Sequence, residues 1–149
     1  MKHRHKWVIA GFASFFLPLS IMFIVLLSMG ITYHGDKTIL ASDAFHQYVI
    51  FAQNFRNILH GSDSLFYTFT SGLGLNFYAL ISYYLGSFLS PLLFFFNLTS
   101  MPDALYFFTL IKFGLIGLTA CYAFHKLYPT IKAYFCLLYT SPSPRDATL

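Results

Sequence analysis

The chain has 149 residues, of which 57% are hydrophobic, 21% aromatic and only 9% charged, with a formal net charge of +4. So few charged groups cannot cover that much apolar surface in water, which excludes an ordinary soluble domain. The composition predicts an all-α, polytopic membrane protein, and the absence of glutamate limits acid chemistry to five aspartates.

Lys2, Arg4 and Lys6 precede a first apolar run over 7–29. A membrane crossing needs about 20 helical residues, and a basic cluster before the first span stays on the cytoplasmic side. The N-terminus is therefore expected in the cytoplasm. The apolar run has 23 residues and leaves through Ser28-Met29-Gly30, which favours an uncleaved anchor over a signal peptide, whose apolar region is about 7–15 residues. The positive charge then reads as topology, and no basic and aromatic stripe suggests nucleic acid as a partner.

An external loop follows over 30–76, with an amphipathic helix expected over 42–60. Phe45, Tyr48, Val49, Ala52, Phe55 and Leu59 recur at helical spacing, while Asp43, Gln47, Asn54, Arg56, Asn57 and His60 fall largely elsewhere. Ser42 can cap its start and Gly61 can end it. Such a helix beside a membrane span is expected to lie in the lipid interface, with Asp43 and Gln47 one turn apart on one face. Asp43 admits two readings, a reactive carboxylate or a first-turn charge complementing the helix dipole. Asp36 and Asp63, beside Gly35 and Ser62, read as turn residues. The spacings of His34, His46 and His60 are twelve and fourteen residues and do not make a helical metal pair.

The second apolar segment, 77–96, carries Tyr83-Tyr84 and Ser90-Pro91. Proline frees a backbone carbonyl, which argues for a kinked or broken helix. The tyrosines serve either as interfacial anchors or as substrate contacts. A third segment, 104–124, places Lys112 well inside the apolar run, where it either faces a polar cavity, a partner or an anionic ligand, or snorkels. Gly114, Gly117 and Ala120 suggest close helix packing. A fourth span is expected to begin at 131. Three simple crossings are the reading adopted, although they leave His125, Lys126 and Lys132 outside. A re-entrant second segment would place them inside.

The peptide 136–146 resembles, residue for residue, one reading frame of a transposase adaptor used to prepare sequencing libraries. Residues 136–149 are therefore expected to be artefactual and the native part to be an N-terminal fragment. Cys121 is then the only native cysteine, so no thiol metal cluster or internal disulfide is expected.

Several motifs occur in a fixed order: Gly35-Asp36 to Leu40, Ser42-Asp43-x-x-x-Gln47-Tyr48, Gly61 to Tyr67, Gly72-x-Gly74-x-Asn76, Tyr83-Tyr84, Ser90-Pro91-Leu92 and Lys112. Together they resemble the start of the bacterial YfhO-like membrane proteins of the GT-C glycosyltransferase superfamily, over about 7–135. The resemblance implies a multi-pass bacterial cell-membrane enzyme with a lipid-facing fold. It implies transfer of a sugar from a polyprenyl-phosphate carrier to a cell-envelope acceptor such as a teichoic acid on the outer face. It matches Asp43 to an acid that serves the acceptor or a divalent metal, while a single carboxylate with a neighbouring amide does not specify a metal site. Glycosyl transfer needs a base or electrostatic partner for the acceptor and positive groups for the leaving phosphate. Asp43 is the candidate for the first role and Arg56 and Lys112 for the second, with Gln47, Tyr48, Tyr83 and Tyr84 contacting substrate. The alternative is a non-enzymatic transport or lipid-handling protein. A fragment without the later spans is expected to be inactive by itself.

Overall fold

The computed structural model describes residues 2–70 and 72–127. The expected fourth span at 131, Lys132 and the tail 136–149 lie outside those residues. Helix α1 runs Lys2–Ser28, α2 runs Val49–Leu59 and is preceded by one π turn at Ala44–Tyr48, α3 runs Phe77–Leu80 and continues as a π turn at Ile81–Leu85, and α4 runs Met101–Leu127. Two short 3-10 segments, Ser90–Phe95 and Leu98–Ser100, lead into α4. The chain divides into two units, one from Met1–Met29 with Thr109–Leu149 and the other from Gly30–Phe108.

In the first unit α1 and α4 pack closely through small residues. Pro18 lies inside α1 and, lacking an N–H, cannot bond the carbonyl of Ser14 one turn back. Gly117 sits directly against that carbonyl, where any Cβ would collide with the Ser14 oxygen and the Pro18 ring. Gly114 is likewise closed by the ring of Phe15. The close packing expected at these glycines is observed, as small residues allow between apolar helices.

The second unit is built on α2. Val49, Phe51 and Ala52 are buried, and Phe77, Leu93 and Met101 are the largest fully buried side chains. Each such side chain contributes about 1.5–3 kcal/mol relative to exposure to water. Gly61 ends α2 as expected, in the left-handed region at φ +78°. The Gly61 N–H donates to Ile58 O and the Ser62 N–H to Asn57 O, the paired bonds of a Schellman end.

The start differs from the expected helix 42–60. Ser42 lies in the left-handed region at φ +49°, and Asp43 stands at the N-cap position without a side-chain capping bond. The first turn, Ala44–Tyr48, has π geometry. The buried Asn54 amide donates to the hydroxyls of Thr68 and Thr70, both at 2.6 Å. That fixes the hairpin whose Thr68 and Leu75 backbones pair onto α2.

Segment 77–96 is not a continuous helix. It breaks at Gly86 and again at the 3-10 turn that contains Pro91, so the break expected from proline is present. The helices long and apolar enough to cross a membrane, among the described residues, are Val8–Ser28 and Leu98–Leu127.

Candidate functional site

The unusual backbone of the second unit carries its polar side chains. Gln47 and Tyr48 lie in the π turn before α2, and Tyr83 and Tyr84 in the π turn after α3. Single π turns inside helices recur at functional sites because they re-aim side chains that a regular helix would space evenly. The two turns face each other. The Tyr84 hydroxyl donates to Gln47 Oε1 at 2.5 Å, and its ring meets Tyr48 edge-on at 5.1 Å and Tyr83 edge-on at 4.5 Å. Phe51 closes the base at 5.1 Å.

Asp43 lies near enough to this cluster for its charge to act on Tyr84. Tyr84, outside both membrane-length helices, has its phenol raised above the ordinary value by partial burial first, then by the neighbouring Tyr83, Tyr48 and Asp43. A raised phenol stays protonated, so it remains a donor to Gln47. Asp43 itself is exposed, and among the described residues its carboxylate takes no hydrogen bond or ion pair. Four of the seven sequence candidates, Gln47, Tyr48, Tyr83 and Tyr84, thus meet in one place, and the charge of a fifth, Asp43, reaches Tyr84.

The other two do not join them. Arg56 lies thirteen residues beyond Asp43 along a helical path, roughly 20 Å at 1.5 Å per residue, and its Nε donates to the carbonyl of Phe96 at 2.6 Å. Gln53 Nε2 donates to Leu98 O at 3.2 Å, and His60, whose Nδ1 donates to Arg56 O at 3.0 Å, stacks on Phe94 at 4.4 Å. These side chains satisfy and brace the backbone that the broken segment leaves open. Lys112 is exposed on α4 and belongs to the other unit.

Asp43 supplies one anionic ligand, and Gln47 Oε1 already accepts from Tyr84. No group of three His, Cys, Asp or Glu that could hold a metal occurs among the described residues, so these side chains do not form a divalent-cation site by themselves.

A second polar cluster was not anticipated. His34, left-handed at φ +54°, is bound twice by Asp103: its backbone N–H donates to Oδ1 at 3.1 Å and its Nδ1 lies 2.6 Å from Oδ2. Sequence spacing gave no signal, because the partners are 69 residues apart.

Long apolar helices joined to an all-helical polar unit define an integral membrane protein. Residues 14–141 match the family model described as bacterial membrane protein YfhO, and the chain belongs to that family. The match covers the described part from Ser14 onward and enters the tail as far as residue 141. No curated protein and no solved structure matches the chain.

Proposed function

We propose that the protein is a membrane glycosyltransferase of GT-C type, moving a sugar from a polyprenyl-phosphate carrier to a hydroxyl of a cell-envelope polymer. The observation that carries this reading is the exposed, unbonded carboxylate of Asp43, whose charge reaches Tyr84 in the cluster it forms with Tyr48 and Tyr83. An acid engaged only as a helix cap would bond the first-turn amides, and Asp43 makes no such bond. In the reaction Asp43 accepts the proton of the acceptor hydroxyl as its oxygen bonds the anomeric carbon. The bond from that carbon to the carrier phosphate breaks, and its electron pair leaves with the phosphate. Gln47, held by Tyr84, and the tyrosine rings position the sugar.

The geometry also supports one topology. His34 lies six residues after α1, Asp103 lies in the first turn of α4, and they are bonded. We read residues 30–100 as lying on a single side, with segment 77–96 bedded in the interface by the exposed Phe88, Phe94 and Phe95. With the N-terminus cytoplasmic, that side is the outer face, and Lys126 returns to the inside in accord with the positive-inside tendency. Two crossings replace three in this reading.

In the full-length protein, Asp43→Asn is expected to insert and accumulate normally and to lose sugar transfer to the cell-wall acceptor. Retained transfer overturns the catalytic role. For topology, a membrane-impermeant maleimide is expected to label Asp63→Cys in intact cells and Lys126→Cys only after permeabilisation; the opposite pattern rejects the assignment.

A further inference from the structure

A cavity of about 570 Å³ opens beside the His34–Asp103 pair. Its wall includes Tyr33, Thr38, Asn97 and Thr99 besides the pair itself. The geometry points to a second ligand site here, one that takes a neutral polyhydroxylated group such as a sugar or polyol, with His34 as its central hydrogen-bonding residue.

The pair is built for display of the ring. The Asp103 side chain is only 16% exposed, whereas that of His34 is 65% exposed, so an inner carboxylate holds an outward imidazole. Asp103 occupies Nδ1, which leaves Nε2 for a ligand, and a carboxylate on one ring nitrogen fixes the tautomer presented by the other. Nε2 is an acceptor in the neutral ring and a donor in the imidazolium. A hydroxyl group answers either state. Tyr33 stacks on the ring at 4.3 Å and adds an exposed aromatic surface.

The backbone is committed to this arrangement. His34 holds a left-handed conformation that is uncommon outside glycine, and such strain persists where surrounding structure over-determines it. Here the determinants are the two bonds to Asp103 and the tight turn in which the Gly35 N–H donates to Thr32 O. A Cβ at Gly35 would collide with the Thr32 hydroxyl.

The lining chemistry selects the ligand class. Two threonine hydroxyls and an amide offer paired donors and acceptors, and neither lysine nor arginine lines the cavity. The Asp103 carboxylate disfavours an anion at the same place. A neutral hydroxylated ligand fits these walls, and a phosphate does not.

The test is carbethoxylation of the full chain in detergent at mildly alkaline pH, read residue by residue by mass spectrometry. Glucose and inorganic phosphate serve as probes, and His60 is the internal control because its Nδ1 is bonded to the backbone and its ring covered by Phe94. Glucose at about twice its Kd is expected to slow modification of His34 about threefold and to leave His60 unchanged, with phosphate inert. Asp103→Ala removes both bonds that hold His34, from its backbone N–H and from Nδ1, so the ring is no longer fixed at the cavity and glucose protection is expected to vanish. Tyr33→Leu is a second variant, expected to keep His34 reactive and lose protection. Equal His34 rates with and without glucose overturn the proposal, as does stronger protection by phosphate. The readout does not depend on sugar transfer, and Asp43→Asn is expected to retain glucose protection, so failure here is separable from failure of the transferase reading.

Discussion

The two units of the chain are held together by opposite means. In the unit of α1 and the second part of α4, backbone bonds close almost entirely within each helix, and contact between helices depends on missing side-chain volume at Gly114 and Gly117. In the unit of residues 30–108, helices break repeatedly, and side chains must satisfy the backbone: Arg56 and Gln53 bond carbonyls, and Asn54 holds a hairpin through two hydroxyls. Hydrocarbon tolerates only the first arrangement, because it offers no water to unpaired amides. Irregular backbone in the second unit is what re-aims Gln47, Tyr48, Tyr83 and Tyr84 toward one another, and so the polar side chains collect there.

The largest expected effect isolates the proposed chemistry. On the transferase proposal Asp43→Asn removes the proton acceptor without altering size, and sugar transfer by the full-length protein is expected to fall about 10²–10⁴-fold with unchanged thermal stability. A parallel loss of stability would make Asp43 a structural residue of the second unit. Gly117→Ala asks the converse question of the first unit. On an exposed helix this change stabilises by about 1 kcal/mol. Against the Ser14 carbonyl it is expected to destabilise by about 2–3 kcal/mol, measured by thermal unfolding in detergent, and a stabilised variant would show that the close approach does not hold the helices together.

Legibility in the sequence divides along the same line. The helices of the first unit were plain because long apolar runs and small residues at helical spacing are local signals, and their glycine contact was anticipated. In the second unit Gly61 was readable as a helix end, and proline announced the break in 77–96. The left-handed turn at Ser42 was not readable, since serine carries no conformational marker for it. The meeting of Gln47 with Tyr84 depends on the packing of α2 against the π turn at Ile81–Leu85, a contact across 37 residues. Arg56 is legible in the sequence only as a charge; its bond to the Phe96 carbonyl follows from where the chain breaks. Asp103 carries no local signal, because its partner His34 lies in a turn 69 residues away.

Arg56→Ala tests whether the second unit rests on such bonds. Deleting the guanidinium leaves the part-buried Phe96 carbonyl without its donor, and a loss of about 1–2 kcal/mol is expected. Proteolysis should become faster around 94–98 before the rest of the chain responds. Uniform sensitivity along both units would mean that the bond has no local bracing role.

The smallest expected effect concerns Tyr84. Its phenol is raised in the folded chain by partial burial and by its tyrosine and aspartate neighbours, so the folded state keeps a proton that the unfolded state gives up first. Any stability from this group is present below the ordinary phenol range and is lost as pH rises from about 10 toward the higher folded value. Tyr84→Phe keeps the ring contacts with Tyr48, Tyr83 and Phe51 and removes only the bond to Gln47. Sugar transfer is expected to fall by roughly tenfold or less, and the alkaline loss of stability is expected to shrink in pH-dependent unfolding. An unchanged alkaline limb would assign that loss to other groups and leave Gln47 positioned by packing alone, which would bring this corner of the second unit closer to the steric logic of the first.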